Sequence, residues 1–214
     1  MDDLTIILYI CIIIPTILSL FVLEKPARLV MGSFIIGISI CLYTSEINSI
    51  FYGLMGKSMD YFTTTISPII EEVVKAIPIL ALAFLGMDTD AAVLRKKLIQ
   101  AAFAVGLGFA VMENITIVTQ AVSKDSFDIV WAVTRGLSAG LLHSVCTMAV
   151  GIGASFIRTR KKFFYCGTLA LLMLAITYHA IYNTIISSSW RNFGFALPLA
   201  TYIPILYFWK RRAS

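Results

Sequence analysis

The chain has 214 residues, 59% of them hydrophobic and only 14% charged, with a mean hydropathy of +0.88. That balance excludes a soluble enzyme and is the composition of a polytopic membrane protein. The net charge of +5 does not point to nucleic acid either, because the basic residues fall in short clusters between apolar runs rather than in a stripe with interleaved aromatics.

Runs close to the roughly 20 residues that cross about 30 Å of hydrocarbon occur at 4–23, 29–45, 61–86, 98–121, 129–157, 163–187 and 193–209. They predict an all-α transmembrane bundle of about seven spans, a single integral domain over 1–214 with its polar motifs within 61–187. Ahead of the first run Asp2 and Asp3 replace the basic start of a signal peptide and no small-residue cleavage site follows, so the run is expected to remain as a helix. The half-polar tail from Ser45 to Asp60 either extends the second span or lies at the interface. With the N-terminus outside, the inner segments hold Lys25, Arg28, Arg95, Lys96, Lys97, Arg158, Arg160, Lys161, Lys162, Lys210, Arg211 and Arg212, whereas the outer ones hold Lys57, Lys124 and Arg191. This asymmetry predicts N-terminus out, C-terminus in, in the cell membrane. Trp131, Trp190 and Trp209 fall near span ends, where aromatic belts form.

The third run carries Glu71, Glu72 and Lys75. Each charge costs about 2.5–3.5 kcal/mol at the centre of a spanning helix, so three within two turns require a reason. Lys75 lies at i+4 from Glu71 and i+3 from Glu72, so it can neutralise one carboxylate and leave the other to move a proton. Pro68 and Pro78 bracket the pair and are expected to kink or open the helix. On the fourth run Gly106, Phe109, Glu113, Thr116 and Gln120 form one stripe, with Asn114 beside it. On the fifth, Gly136, Gly140, His143 and Thr147 share a face whose two glycines allow close backbone approach. Arg135 reads as a snorkelling anchor that could also pair with a Glu. His179 and Asn183 lie one turn apart on the sixth. Counted inward from the presumed outer ends, these groups fall roughly 6–21 Å deep. A lone membrane His or Asn is as readily interhelical glue; what points to chemistry is a carboxylate doublet, a third Glu and two imidazoles at compatible depth. Cys11, Cys41, Cys146 and Cys166 show no C-x-x-C spacing, and nothing marks Cys146 as an activated thiol.

Glu71-Glu72-Val-Val-Lys75, Phe109-Ala-Val-Met-Glu113-Asn114, His143 after Arg135-Gly136, and His179-Ala-Ile-Tyr-Asn183 occur in the order of motifs E-E-x-x-K, F-x-x-x-E-N, H and H-x-x-x-[DN]. In this the chain resembles the PrsW family of bacterial membrane proteases, and more distantly the CAAX prenyl endopeptidase and bacteriocin-immunity superfamily. The resemblance implies the first, extracytoplasmic cut in a membrane-anchored substrate, a single-pass anti-sigma factor, during stress-regulated intramembrane proteolysis. Asn183 stands where relatives can carry Asp, so a hydrogen-bonding role is expected of it. Two mechanisms fit. In the preferred one, Glu71 or Glu72 activates water, His143 and His179 act on the carbonyl or the leaving nitrogen with help from Asn183 or Asn114, and Glu113 orients an imidazole. In the other, His143, His179 and Glu113 ligate zinc and a Glu is the base. No H-E-x-x-H is present. Two other classes compete: a proton-coupled transporter or channel, which would favour inverted repeats that are not visible, and a non-catalytic immunity or assembly protein.

Overall fold

The computed structural model describes residues 8–9, 14, 17, 20, 23–86, 90–122 and 129–213, with backbone alone for 121–122, 129–132 and 205–213. Most of the first expected span, with Cys11, lies outside the described residues, as do Lys124 and the side chains of Trp131 and Trp209. The rest is helical, with no strand among the described residues. Helix α1 (Lys25–Met55) absorbs most of the polar tail of the second span and ends on Gly56, whose φ of 57° places it in the left-handed region where a side chain would be strained. A short turn (Met59–Tyr61) and a π-helical segment (Phe62–Ile66) lead into α2 (Ser67–Leu85). The break expected at Pro68 is thus a π-segment just before it, while Pro78 is accommodated inside α2. Helix α3 (Ala91–Val122) starts where the Asp90 carboxylate accepts from the amides of Ala92 and Val93 at 2.7 and 3.2 Å. Then come α4 (Ile129–Ala154) with a 3-10 turn (Ser155–Arg158), α5 (Lys161–Ile186) and α6 (Arg191–Ala213).

Among the described residues four segments are long and apolar enough to cross a membrane: Lys25–Met55, Ala91–Gln120, Val133–Arg158 and Lys161–Ile186. Large apolar side chains such as Leu54, Leu85, Leu169 and Phe193 face outward, as lipid-facing groups do. Helix α2 is set apart by the charges it carries. Helix α4 is the most enclosed and touches α2, α3, α5 and α6. Close approach occurs at Gly37, Gly106 and Gly108 rather than at the Gly136/Gly140 pair. A Cβ on Gly37 would meet the Val105 carbonyl, one on Gly108 the Phe34 carbonyl and one on Gly106 the backbone of His143. Gly136, by contrast, has nothing within 4 Å and Gly140 only the tip of Leu107 at 3.9 Å. A Cβ at Gly106 would thus collide with the α4 backbone while one at Gly136 meets open space, and beside Gly136 Arg135 extends to Glu113.

The core is divided along the bundle. One end is an apolar cluster of Ile79, Ala83, Leu94, Leu98, Ala102, Val105, Ala154 and Phe164. At this end Arg158 donates to the Gly86 carbonyl at 2.8 Å and Arg95 lies over Phe156, so the basic start of α3 and the basic 3-10 turn after α4 meet. Toward the other end, two smaller clusters, around Ile38 and Phe109 and around Leu142 and Tyr182, flank a buried polar group.

Candidate active site

Helices α2 to α5 each contribute to that group, and α1 adds a side chain from outside the motif region. Lys75, with no exposure at all, places Nζ 2.6 Å from Glu72 Oε1 and 2.8 Å from His143 Nδ1, over the Phe109 ring. His143 Nε2 is 3.1 Å from Glu113 Oε2, which also accepts from Arg135 Nη2 at 3.1 Å. His179 Nδ1 is 2.8 Å from Glu72 Oε1, and its Nε2 is 3.8 Å from Glu71 Oε2. The two imidazoles meet edge to face, 4.9 Å between centroids. All five residues expected to act chemically therefore lie in one connected cluster.

Donor and acceptor rules assign the hydrogens. A lysine ammonium only donates, so His143 Nδ1 accepts from Lys75 and the ring proton is on Nε2, donated to Glu113. Glu72 Oε1 takes the Nδ1–H of His179, which leaves a lone pair on Nε2 aimed toward Glu71. A separation of 3.8 Å is too long for a hydrogen bond and is the spacing of two groups that share a third atom. Glu71 Oε2 and Glu72 Oε2 are both buried without a partner. Among the described residues Glu71, His143 and His179 form a group that could hold a metal ion, with one ligand atom from each all within 4.8 Å of one another. The carboxylate of that trio is Glu71; Glu113 stands behind His143. The fit is ready in Glu71 and His179, whose atoms are free. In His143 it requires Lys75 to leave Nδ1, after which Glu113 would hold the ring as outer carboxylates hold metal-bound imidazoles.

Several residues of the site carried no motif signal. Ser67 Oγ donates to Glu71 Oε1 at 2.6 Å, and Asn48 Nδ2 on α1 donates to Ser67 Oγ at 2.7 Å. Buried Ser138 and Tyr182 share a 2.8 Å hydrogen bond between α4 and α5. Asn183 does not reach the cluster: its Nδ2 donates to the Thr63 carbonyl at 2.9 Å. Asn114 Oδ1 is buried without a partner. Cys146 donates to the Ala175 carbonyl at 3.6 Å and is not poised as a nucleophile.

A sequence model of the PrsW family of intramembrane metalloproteases matches residues 25–209. No curated protein and no solved structure matches the chain. The family description favours the metal scheme over the metal-free one, and the buried trio of Glu71, His143 and His179 supplies a donor set for it. With a match that covers most of its length, the chain belongs to the PrsW family and is a membrane-embedded peptidase.

Proposed function

We propose that the chain hydrolyses a membrane-anchored protein near the extracytoplasmic face, with Glu71, His143 and His179 as ligands of a zinc ion and Glu72 as the base. The observation that carries this reading is Glu71 Oε2, buried and unpartnered, facing His179 Nε2 with His143 in the same cluster. Two imidazoles and one carboxylate, with a position left for water, are a donor set of hydrolytic zinc sites. Bound there, zinc would supply Lewis acidity toward the scissile carbonyl and a more acidic water. The protein's own groups do the rest. Glu72 Oε2 takes the proton of the attacking water and returns it to the leaving nitrogen. Its Oε1 orients His179, and Glu113, fixed by Arg135, orients His143. Lys75 offsets the Glu72 charge, and Phe109 walls the cluster beside Lys75 and His143.

A metal-free alternative is favoured by one contact, the 2.8 Å hydrogen bond by which Lys75 already satisfies His143 Nδ1. In it Glu71 activates water, and His143 and His179 act on the carbonyl and the leaving group. The setting is a seven-span arrangement in the cell membrane with the N-terminus outside, supported by the basic segments that meet at one end of the bundle. A single-pass anti-sigma factor is the substrate that the family resemblance implies.

The test is purified protein in lipid with single-pass substrates, wild type against Glu72→Gln and His143→Ala, with metal content measured alongside. Cleavage lost in both variants, about one zinc per wild-type chain, and loss and return of activity on chelation and zinc addition are expected. Chelator-resistant cleavage selects the metal-free scheme. No cleavage, with ion flux altered by the same variants, makes the protein a transporter.

A further inference from the structure

The π-segment ahead of the glutamates has a consequence for Asn183. Within Phe62–Ile66 hydrogen bonds run five residues back, and the Ser67 amide accordingly donates to the Phe62 carbonyl. The next residue in that pattern is position 68, whose amide would serve the Thr63 carbonyl. Position 68 is proline and has no N–H. The carbonyl that Pro68 cannot serve is the one to which Asn183 Nδ2 donates at 2.9 Å, from a helix 120 positions away in sequence. The contact is part-buried, and there the side-chain amide stands in for the missing backbone donor.

We propose that Asn183 is a positioning residue, which acts through the Thr63 carbonyl to fix the register of α2 against α5. Asn183 lies one turn beyond His179, and Thr63 lies two turns before Glu71 and Glu72. The hydrogen bond therefore sets the two spacings on which the site depends, 2.8 Å between Glu72 and His179 and 3.8 Å between Glu71 and His179. An amide spent on backbone is not spent on substrate. This assigns the last residue of the H-x-x-x-N motif to architecture, and it rests on the reading of Glu71, Glu72 and His179 as the hydrolytic group.

The discriminating experiment is a cycle of four full-length proteins in lipid: wild type, Asn183→Ala, Pro68→Ala and the double variant. Alanine at 68 restores the amide that Thr63 lacks. Asn183→Ala alone is expected to lower kcat roughly tenfold with little change in KM, the scale of one unmet part-buried carbonyl. Pro68→Ala is expected to stay within about threefold of wild type and the double variant to resemble it, a recovery. Asn183→Leu, close in size and without any donor, should fail like the alanine. If Asn183 instead touches the substrate, the double variant is as poor as the single one, and the proposal is overturned. Thermal unfolding of the same four proteins reads the coupling without catalysis. Should the wild type cut nothing, the protease reading fails; recovery of Tm in the double variant still supports the lock, and additive losses of Tm overturn it.

Discussion

The two ends of the bundle solve opposite problems with the same helices. At the end with the basic segments, α2, α3, α4 and α5 meet through Ile79, Leu94, Leu98, Ala102, Ala154 and Phe164, all apolar and almost without exposure. Toward the other end the same helices bury Glu71, Glu72, Lys75, His143 and His179. Lipid tails are as apolar as leucine, so the first end is held by close packing and not by a hydrophobic drive between helices. The polar end is held by directed bonds, each of which constrains an angle as well as a distance. The contrast teaches that the packed end can tolerate changes that conserve volume, whereas the polar end depends on a complete set of partners.

The largest effect should come from breaking that set at its cation. Lys75→Met keeps the side chain's length and removes the charge that faces Glu72 and the donor that faces His143. Removal of one partner of a buried pair costs about 3–5 kcal/mol. A pronounced fall in Tm with loss of cleavage is expected, and Lys75→Met combined with Glu72→Gln should recover much of the stability but none of the activity. Equal Tm in the single variant and the wild type would remove the ion pair from the account. At the packed end, Gly151→Val puts a branched side chain where a Cβ already meets Ala102 and the Leu98 carbonyl. Overpacking of this kind costs about 1–3 kcal/mol. The expected signature is lowered Tm with metal affinity nearly intact, and loss of metal at unchanged Tm would contradict it.

How far the sequence disclosed this arrangement depends on the kind of signal each residue leaves. Long apolar runs mark helices because hydrocarbon thickness sets a length, and α3 to α6 fall where hydropathy places them. Charges and imidazoles stand out in such runs because they are costly, so Glu71, Glu72, Glu113, His143 and His179 were visible as candidates before any contact was known. The pairing of Lys75 with Glu72 was open between two spacings and the structure uses i,i+3. Small polar residues leave no such mark. Thr44 satisfies itself on the Ile40 carbonyl of its own helix, and Ser67 looks the same in sequence while it serves Glu71. Arg135 could be read as an anchor near a span end because its partner, Glu113, lies on another helix, and only the way α3 and α4 cross brings them together. The π-segment was invisible for a related reason: Pro68 announces a break but not which carbonyl loses its donor, nor that Asn183 replaces it.

The smallest effect distinguishes the two glutamates. Asn48 Nδ2 donates to Ser67 Oγ, so the single Ser67 hydroxyl hydrogen is directed to Glu71 Oε1, and Oε2 is left for whatever lies between it and His179. Glu72 is oriented differently, by Lys75 and His179 on one oxygen. Ser67→Ala therefore removes the shorter of the two donors on Glu71 Oε1, leaving Asn48 Nδ2 at 3.5 Å, so the carboxylate is looser while Glu72 is untouched, for a loss of about 1.5 kcal/mol, the low end for one hydrogen bond to a charged group. Expressed in transition-state terms this is roughly a tenfold fall in kcat. Ser67→Thr, which keeps the hydroxyl, should restore most of it. Zinc affinity is the sharper readout, because a mobile Glu71 weakens a ligand while a mobile base would not. A Ser67→Ala protein that binds zinc as tightly as the wild type yet cuts more slowly would move Glu71 from ligand to base and exchange the roles of the two carboxylates.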